Sequence, residues 1–232
     1  MYELNEKIKD LIPYEPISGT YKIRLDANES YLRIPEYVMA ESAAKLIKAQ
    51  MNRYPDSTAA MLCKAFAVTY GVEVENVVAG NGSDELISLI FNGFLMRGER
   101  FATMSPDFSM YDFYGALSEG EKLTISKNPD FTISPEQVIL ACNSEKVRLL
   151  IFSNPCNPTS LGLVAEDVRR IIRGVPDTLV VVDEAYMDFW DQSLLPESAN
   201  YDNLLILKTC SKAFGLAALR IGFAVGNPTL IR

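Results

Sequence analysis

The chain has 232 residues, 48% of them hydrophobic, and a net charge of −8 with no histidine. That is enough apolar material for at least one full core, while the acidic balance without clustered Lys or Arg argues against nucleic-acid or anionic-membrane partners. The missing histidine excludes His-based triads and most zinc hydrolases, which leaves Lys, Tyr, Asp and Glu to move protons.

In chain order, residues 1–35 read as an N-terminal arm with little periodicity, broken by Pro13, Pro16, Gly19 and Pro35. The polar stretch Met1–Asp10 carries no secretory signal, and no apolar run is long enough to span a bilayer. Residues 36–232 form the main unit. A helix is expected from Pro35 to Gln50. A second runs from Thr58 to Tyr70, capped by Ser57 and stopped by Gly71. Apolar runs at Asn76–Ala79, Arg100–Met104, Lys122–Ile125, Arg148–Ser153, Thr178–Asp183, Asn203–Lys208 and Arg220–Gly226 read as strands. Helical stretches lie between most of them: Asp84–Met96, Phe108–Leu117, Pro135–Asn143, Ala165–Arg173 and Lys212–Leu219. Runs such as Leu149-Leu150-Ile151-Phe152 lack alternation, as expected of strands buried on both faces. The expected class is α/β: a three-layer, doubly wound, mostly parallel sheet. The four cysteines, Cys63, Cys142, Cys156 and Cys210, match neither zinc spacing nor a disulfide framework and read as reduced thiols.

Ligands of such sheets sit beyond the carboxyl ends of the strands, so residues just after each apolar run are candidates for chemistry. Gly80-Asn81-Gly82-Ser83-Asp84 turns into a helix and offers a seat for a phosphate, although Ser-Asp-Glu after Gly is equally an ordinary helix cap. The spacing matches neither a P-loop nor a dinucleotide fingerprint. Asp183 ends a very apolar strand, where a carboxylate needs a cationic partner; a pyridinium, a helix cap or a metal would each answer, and no metal set is assigned. Lys212 follows Ser211 in an apolar setting, with Arg220 eight residues on. A lysine near other cations at a sheet edge has a lowered pKa, which suits covalent attachment and proton transfer.

Asn154-Pro155-Cys156-Asn157-Pro158-Thr159, Asp183-Glu184-Ala185-Tyr186 and Ser211-Lys212 with Arg220 stand in one order along the chain. Together they resemble the fold-type I, aspartate-aminotransferase-like enzymes that use pyridoxal 5'-phosphate (PLP). Leu25-Asp26-Ala27-Asn28-Glu29, Arg53-Tyr54-Pro55-Asp56 and Ser211-Lys212-Ala213-Phe214-Gly215 are most similar to the histidinol-phosphate aminotransferases. The resemblance implies that Lys212 holds the cofactor covalently and shuttles the proton, and that Asp183 pairs with the pyridinium. Tyr186 and Asn157 would bond the cofactor's 3′ oxygen, and Phe108 would stack on its ring where the family usually has tyrosine. Gly82, Ser83, Ser211 and Arg220 would hold the phosphate, with Asp84 beside them. Tyr54 would reach the cofactor of a second copy, which implies a homodimer, while Asn28 and Glu29 lie near the substrate. The partners implied are a small amino donor and a 2-oxo acid, and the setting is cytoplasmic histidine biosynthesis. Two departures stand out. Ser160 occupies a glycine position, with Gly162 expected to compensate. The chain also stops at Arg232, so the C-terminal small domain, with its carboxylate-gripping arginine, is absent, and weak turnover is expected. A threonine-phosphate decarboxylase-like enzyme and a non-catalytic, dimer-forming PLP-binding fragment are the alternatives.

Overall fold

A computed structural model describes residues 17–232 together with residues 3, 5–9 and 11; Pro13 and Pro16 of the arm lie outside the described residues. The helices are α1 (Glu6–Lys9), α2 (Glu36–Ile47), α3 (Ala60–Tyr70), α4 (Gly82–Phe94), α5 (Met110–Leu117), α6 (Pro135–Ser144), α7 (Ala165–Gly174) and α8 (Pro228–Ile231). The strands are β1 (Val77–Asn81), β2 (Arg100–Ser105), β3 (Glu121–Ser126), β4 (Leu149–Ser153), β5 (Leu179–Asp183), β6 (Leu204–Thr209) and β7 (Ile221–Gly226). All seven strand runs read from the sequence are present, within two residues at either end.

The strands form one sheet in the order β1-β7-β6-β5-β4-β2-β3. Pairing is parallel among β2, β3, β4, β5 and β6, whereas β7 runs antiparallel to both β1 and β6. Every residue of β4, β5 and β6 is buried, as their unbroken apolar sequences require. Side chains alternate across the sheet. Leu150, Phe152, Val180, Val182 and Ile206 pack with Phe66 of α3, Val138 of α6 and Ile171 of α7. Leu149, Ile151, Val181 and Leu207 pack on the other face with Ile87 and Phe91 of α4 and Tyr111 of α5. The result is the three-layer, doubly wound arrangement expected.

Three local readings are corrected. Ser57 does not cap α3: Ala59 precedes the helix, and Asp56 accepts from the backbone N–H groups of Thr58, in the turn before it, and of Ala60, its first residue, at 3.0 and 2.7 Å. Each carboxylate oxygen takes one of the two donors. The segment Lys212–Leu219 is not a helix, apart from a short 3₁₀ turn at Ala217–Leu219. Gly215 takes φ +65°, Leu216 N–H bonds back to Cys210 C=O, and Arg220 enters the left-handed region at φ +52°. These bonds fold the segment over the sheet edge instead of letting it wind away. Finally, Ser160 itself adopts φ +62°, and Gly162 keeps ordinary φ; a Cβ at Gly162 would lie 2.3 Å from the Trp190 ring, so its role is close packing, not compensation.

Candidate active site

The topology gathers the site at one sheet edge. Parallel β4, β5 and β6 all end there, at Ser153, Asp183 and Thr209. Because β7 is antiparallel, it starts at that same edge: Ile221 pairs with Asn81, and Gly222 with Thr209. Arg220, just before β7, therefore meets Gly82, just after β1, and Ser211, just after β6.

At this end the geometry is a cradle. The Arg220 guanidinium lies so close over Gly82 that a Cβ there would sit 2.7 Å from Nη2. Gly82 also holds φ +80°, a conformation that favours glycine. Arg220 Nη1 approaches Ser211 Oγ at 3.5 Å, and Thr209 Oγ1 donates to Ser211 Oγ at 3.0 Å. On β7, Gly222 lets the strand pass beneath the helix start, since its Cβ would fall 2.3 Å from Ser83 N. The Asn81 side chain does not cap α4. The helix starts at Gly82, so Ser83 lies within the first turn; the capping part falls to Glu85, which reaches back to Asn81 N–H at 2.6 Å. Tyr114 OH donates to Asp84 at 2.8 Å. A helix N-terminus, a guanidinium and a buried hydroxyl together favour an anion.

At the other end sits Asp183, buried with 4% exposure. Tyr111, wholly enclosed in α5, donates its hydroxyl to Asp183 Oδ2 at 2.9 Å, and Ala185 N–H donates to Oδ1 at 3.0 Å. Burial pushes the Asp183 carboxyl up, and the Tyr111 bond, the Ala185 N–H, Lys208 and Lys212 pull it back. Its neighbour Glu184 points to separate partners: Ser193 Oγ donates to it at 2.7 Å, and burial raises it to about 7. The two adjacent carboxylates do not share a ligand.

Lys212 bridges the two ends. Its Nζ donates to Ala27 C=O at 2.6 Å and lies 5.9 Å from the Tyr186 ring centre. Burial, with help from Arg220, lowers its pKa; Glu29 and Asp183 oppose the shift. Asn28, in the arm, donates to Tyr186 OH at 2.9 Å. Burial raises the Tyr186 hydroxyl, against the Asn28 bond. Asn28, Asn157, Tyr186 and Trp190 line a cleft of about 710 Å³. Phe108 packs edge-on against Tyr111, ring centres 5.5 Å apart. Of the residues singled out from sequence, Tyr54 alone stands apart. It is fully exposed and joins none of the hydrogen bonds described above.

Residues 20–232 match the family model of class I and II aminotransferases. The chain belongs to the class I and II aminotransferase family. Histidinol-phosphate aminotransferase of Clostridium novyi is 43% identical over 225 residues, covering 97% of this chain and 63% of that protein. The Clostridium kluyveri enzyme of that name is 38% identical over 226 residues, covering 97% and 64%. The chain thus spans less than two thirds of the length of these relatives. Among solved structures, Sinorhizobium meliloti histidinol-phosphate aminotransferase in complex with PLP superposes with a TM-score of 0.79 at 27% identity, covering 88% of this chain and 55% of that one.

The aminotransferase motifs did not reveal Tyr111, Asp107 or Lys208. Asp107 follows the end of β2, the position that drew notice at four other strands. Tyr111 falls three residues after Phe108 on a helix, where an aromatic residue reads as plain core. Lys208 is buried at the end of β6, paired with Asp188 at 3.1 Å, while Tyr70 OH donates to Asp188 at 2.9 Å.

Proposed function

We propose that this chain carries the PLP-binding machinery of an aminotransferase of the histidinol-phosphate type. Such an enzyme exchanges an amino group between an amino acid, or a phosphorylated amino alcohol, and a 2-oxo acid. The observation that carries the reading is one sheet edge holding a half-buried lysine with a lowered pKa between an anion cradle and a buried, hydrogen-bonded aspartate. These residues suit PLP in charge and in order: cations and N–H groups for its phosphate, a carboxylate for its ring nitrogen, an amine for its aldehyde. At Gly82 the backbone takes a positive φ and the Arg220 guanidinium lies directly over it.

When bound, PLP supplies an aldehyde that links covalently to amines and a protonated ring that withdraws electrons from the substrate's Cα. The chain supplies the rest. Lys212 would anchor the cofactor and, once freed by the donor amine, would carry a proton from the substrate's Cα, a task that its lowered pKa favours. Asp183 would keep the proton on the ring nitrogen. Asn157 and Tyr186 would hold the ring oxygen, and Phe108 would stack on the ring. Gly82, Ser83, Ser211 and Arg220 would hold the phosphate, with Asp84, braced by Tyr114, beside them. Asn28 and Glu29, on the arm beside Lys212, face the substrate.

Two copies of the chain work together in this reading, with Tyr54 of each reaching the other's site. Supporting it, Met51 and Tyr54 follow α2, which buries none of its residues and exposes Leu46 and Ile47. The four free thiols favour a reducing compartment, the cytoplasm. Among the described residues, no helix is long and apolar enough to cross a membrane.

The test is the visible absorbance of the purified chain with added PLP, before and after borohydride, beside Lys212→Ala. The expected result is a protein-bound band that reduction fixes covalently in the wild type and that is lost in Lys212→Ala. No band in the wild type would sink the proposal. With threonine phosphate, an amine donor that carries a carboxylate, release of carbon dioxide without oxo product would assign decarboxylation instead.

A further inference from the structure

Asp107 touches neither Lys212 nor Asp183 by hydrogen bond, yet it joins the two loops that flank them. It follows the end of β2, next to β4 in the sheet. Its carboxylate accepts from Phe108 N–H at 2.8 Å, from Ser153 N–H at 3.3 Å, and from the Ser153 hydroxyl. Ser153 Oγ in turn accepts from Asn157 N–H at 3.1 Å. One carboxylate therefore fixes the backbone of Phe108 directly and that of Asn157 through one hydroxyl.

Across the same gap, Lys127, just past β3, donates to Pro106 C=O at 2.7 Å and contacts Cys156 Sγ at 3.0 Å. The β2 loop and the Asn154–Pro158 loop are thus tied twice, once by an anion and once by a cation. A carboxylate so placed is expensive to bury, and its cost is offset only by these donors and Lys127. A role limited to packing would be served as well by an apolar residue.

We propose that Asp107 is a positioning residue that sets the spacing between Phe108 and Asn157, and so the width of the slot for the cofactor ring. This inference rests on the PLP reading above and adds to it a residue that does not touch the cofactor.

The experiment measures PLP affinity and the induced circular dichroism of the bound chromophore for wild type, Asp107→Asn, Asn157→Ala and the double variant. Ser153→Ala serves as a second break in the same relay. Asp107→Asn should weaken PLP binding about tenfold and reduce the induced dichroism while still forming the borohydride-fixed link to Lys212. The Asn157→Ala and Asp107→Asn effects should be markedly less than additive, because one acts through the other. Ser153→Ala should reproduce the dichroism change. Should Asp107→Asn bind PLP within about twofold of wild type, or should the two effects simply add, the inference fails while the PLP reading stands. Absence of any chromophore in the wild type would overturn both.

Discussion

Around Asp183 the donors are already engaged: Tyr111 and Ala185 hold its two oxygens, and the whole group is buried. Around Gly82 the reverse holds. Glu85 bonds back to Asn81 N–H before the first turn of α4, and Arg220, which crosses that turn, is an exposed residue with a long contact to Ser211 and a bond to Ala217 C=O at 3.2 Å. The anionic end is finished by folding; the cationic end is left with donors to spare. A buried carboxylate without fixed donors would protonate or move, since isolation in a low dielectric is costly. A guanidinium near water tolerates waiting. The difference teaches that the ring half should respond to substitution through charge state, and the phosphate half through affinity alone.

Three changes would break or sharpen that contrast. Asp183→Ala should have the largest effect. It removes one partner of a buried pair, a loss of about 3–5 kcal/mol, so PLP affinity should fall by about a hundredfold or more. Titration of the chain with PLP by absorbance would check this, and a Kd within about threefold of wild type would refute the assignment. Arg220→Gln should come second. Losing charge-assisted bonds of about 1.5–3 kcal/mol predicts a Kd raised roughly ten- to hundredfold. Because the site is open there, raising the salt concentration should weaken wild-type binding more than that of the variant. Equal salt dependence would argue against an ionic contact with the phosphate.

Tyr111→Phe should be the mildest and the most telling. The tyrosine's bond holds the Asp183 carboxyl down against burial, so its loss moves that pKa further up. As pH falls, Asp183 then takes up its proton earlier, and loss of PLP binding should set in at a higher pH than in wild type. At alkaline pH the two proteins should bind within about tenfold of each other. A binding-versus-pH curve superposable on that of wild type would show that Tyr111 serves packing only.

Much of this was legible in the sequence. The strands stand out as unbroken apolar runs, and Gly82, Asn157, Asp183 and Lys212, in the polar clusters that follow them, come together at one sheet edge. What remained hidden depended on contacts between distant residues. The run Ala213-Phe214-Gly215-Leu216-Ala217-Ala218-Leu219 has a helical composition, and only Gly215 hinted otherwise. The bond from Leu216 back to Cys210 and the left-handed turn at Arg220 decided the shape. Tyr111 meets Asp183 across many intervening residues, and no local pattern distinguishes it from Phe91 or Phe101, which also fill that layer. Asp107 was within reach of the same strand-end rule that found Asp183. Near Ser57 it is Asp56, one residue earlier, that takes the N–H groups of Thr58 and Ala60, with one oxygen for each.

The antiparallel β7 has a consequence for the order in which the molecule takes shape. Among the described strands, β1 pairs with β7 alone, and β2 to β6 all lie between the two in the chain. β1 must therefore wait for β7 before it is hydrogen-bonded into the sheet. Closing so large a loop slows folding. Until β7 arrives, Gly82 and Arg220 have not met, so the cradle that they form is completed only by the pairing of β1 with β7.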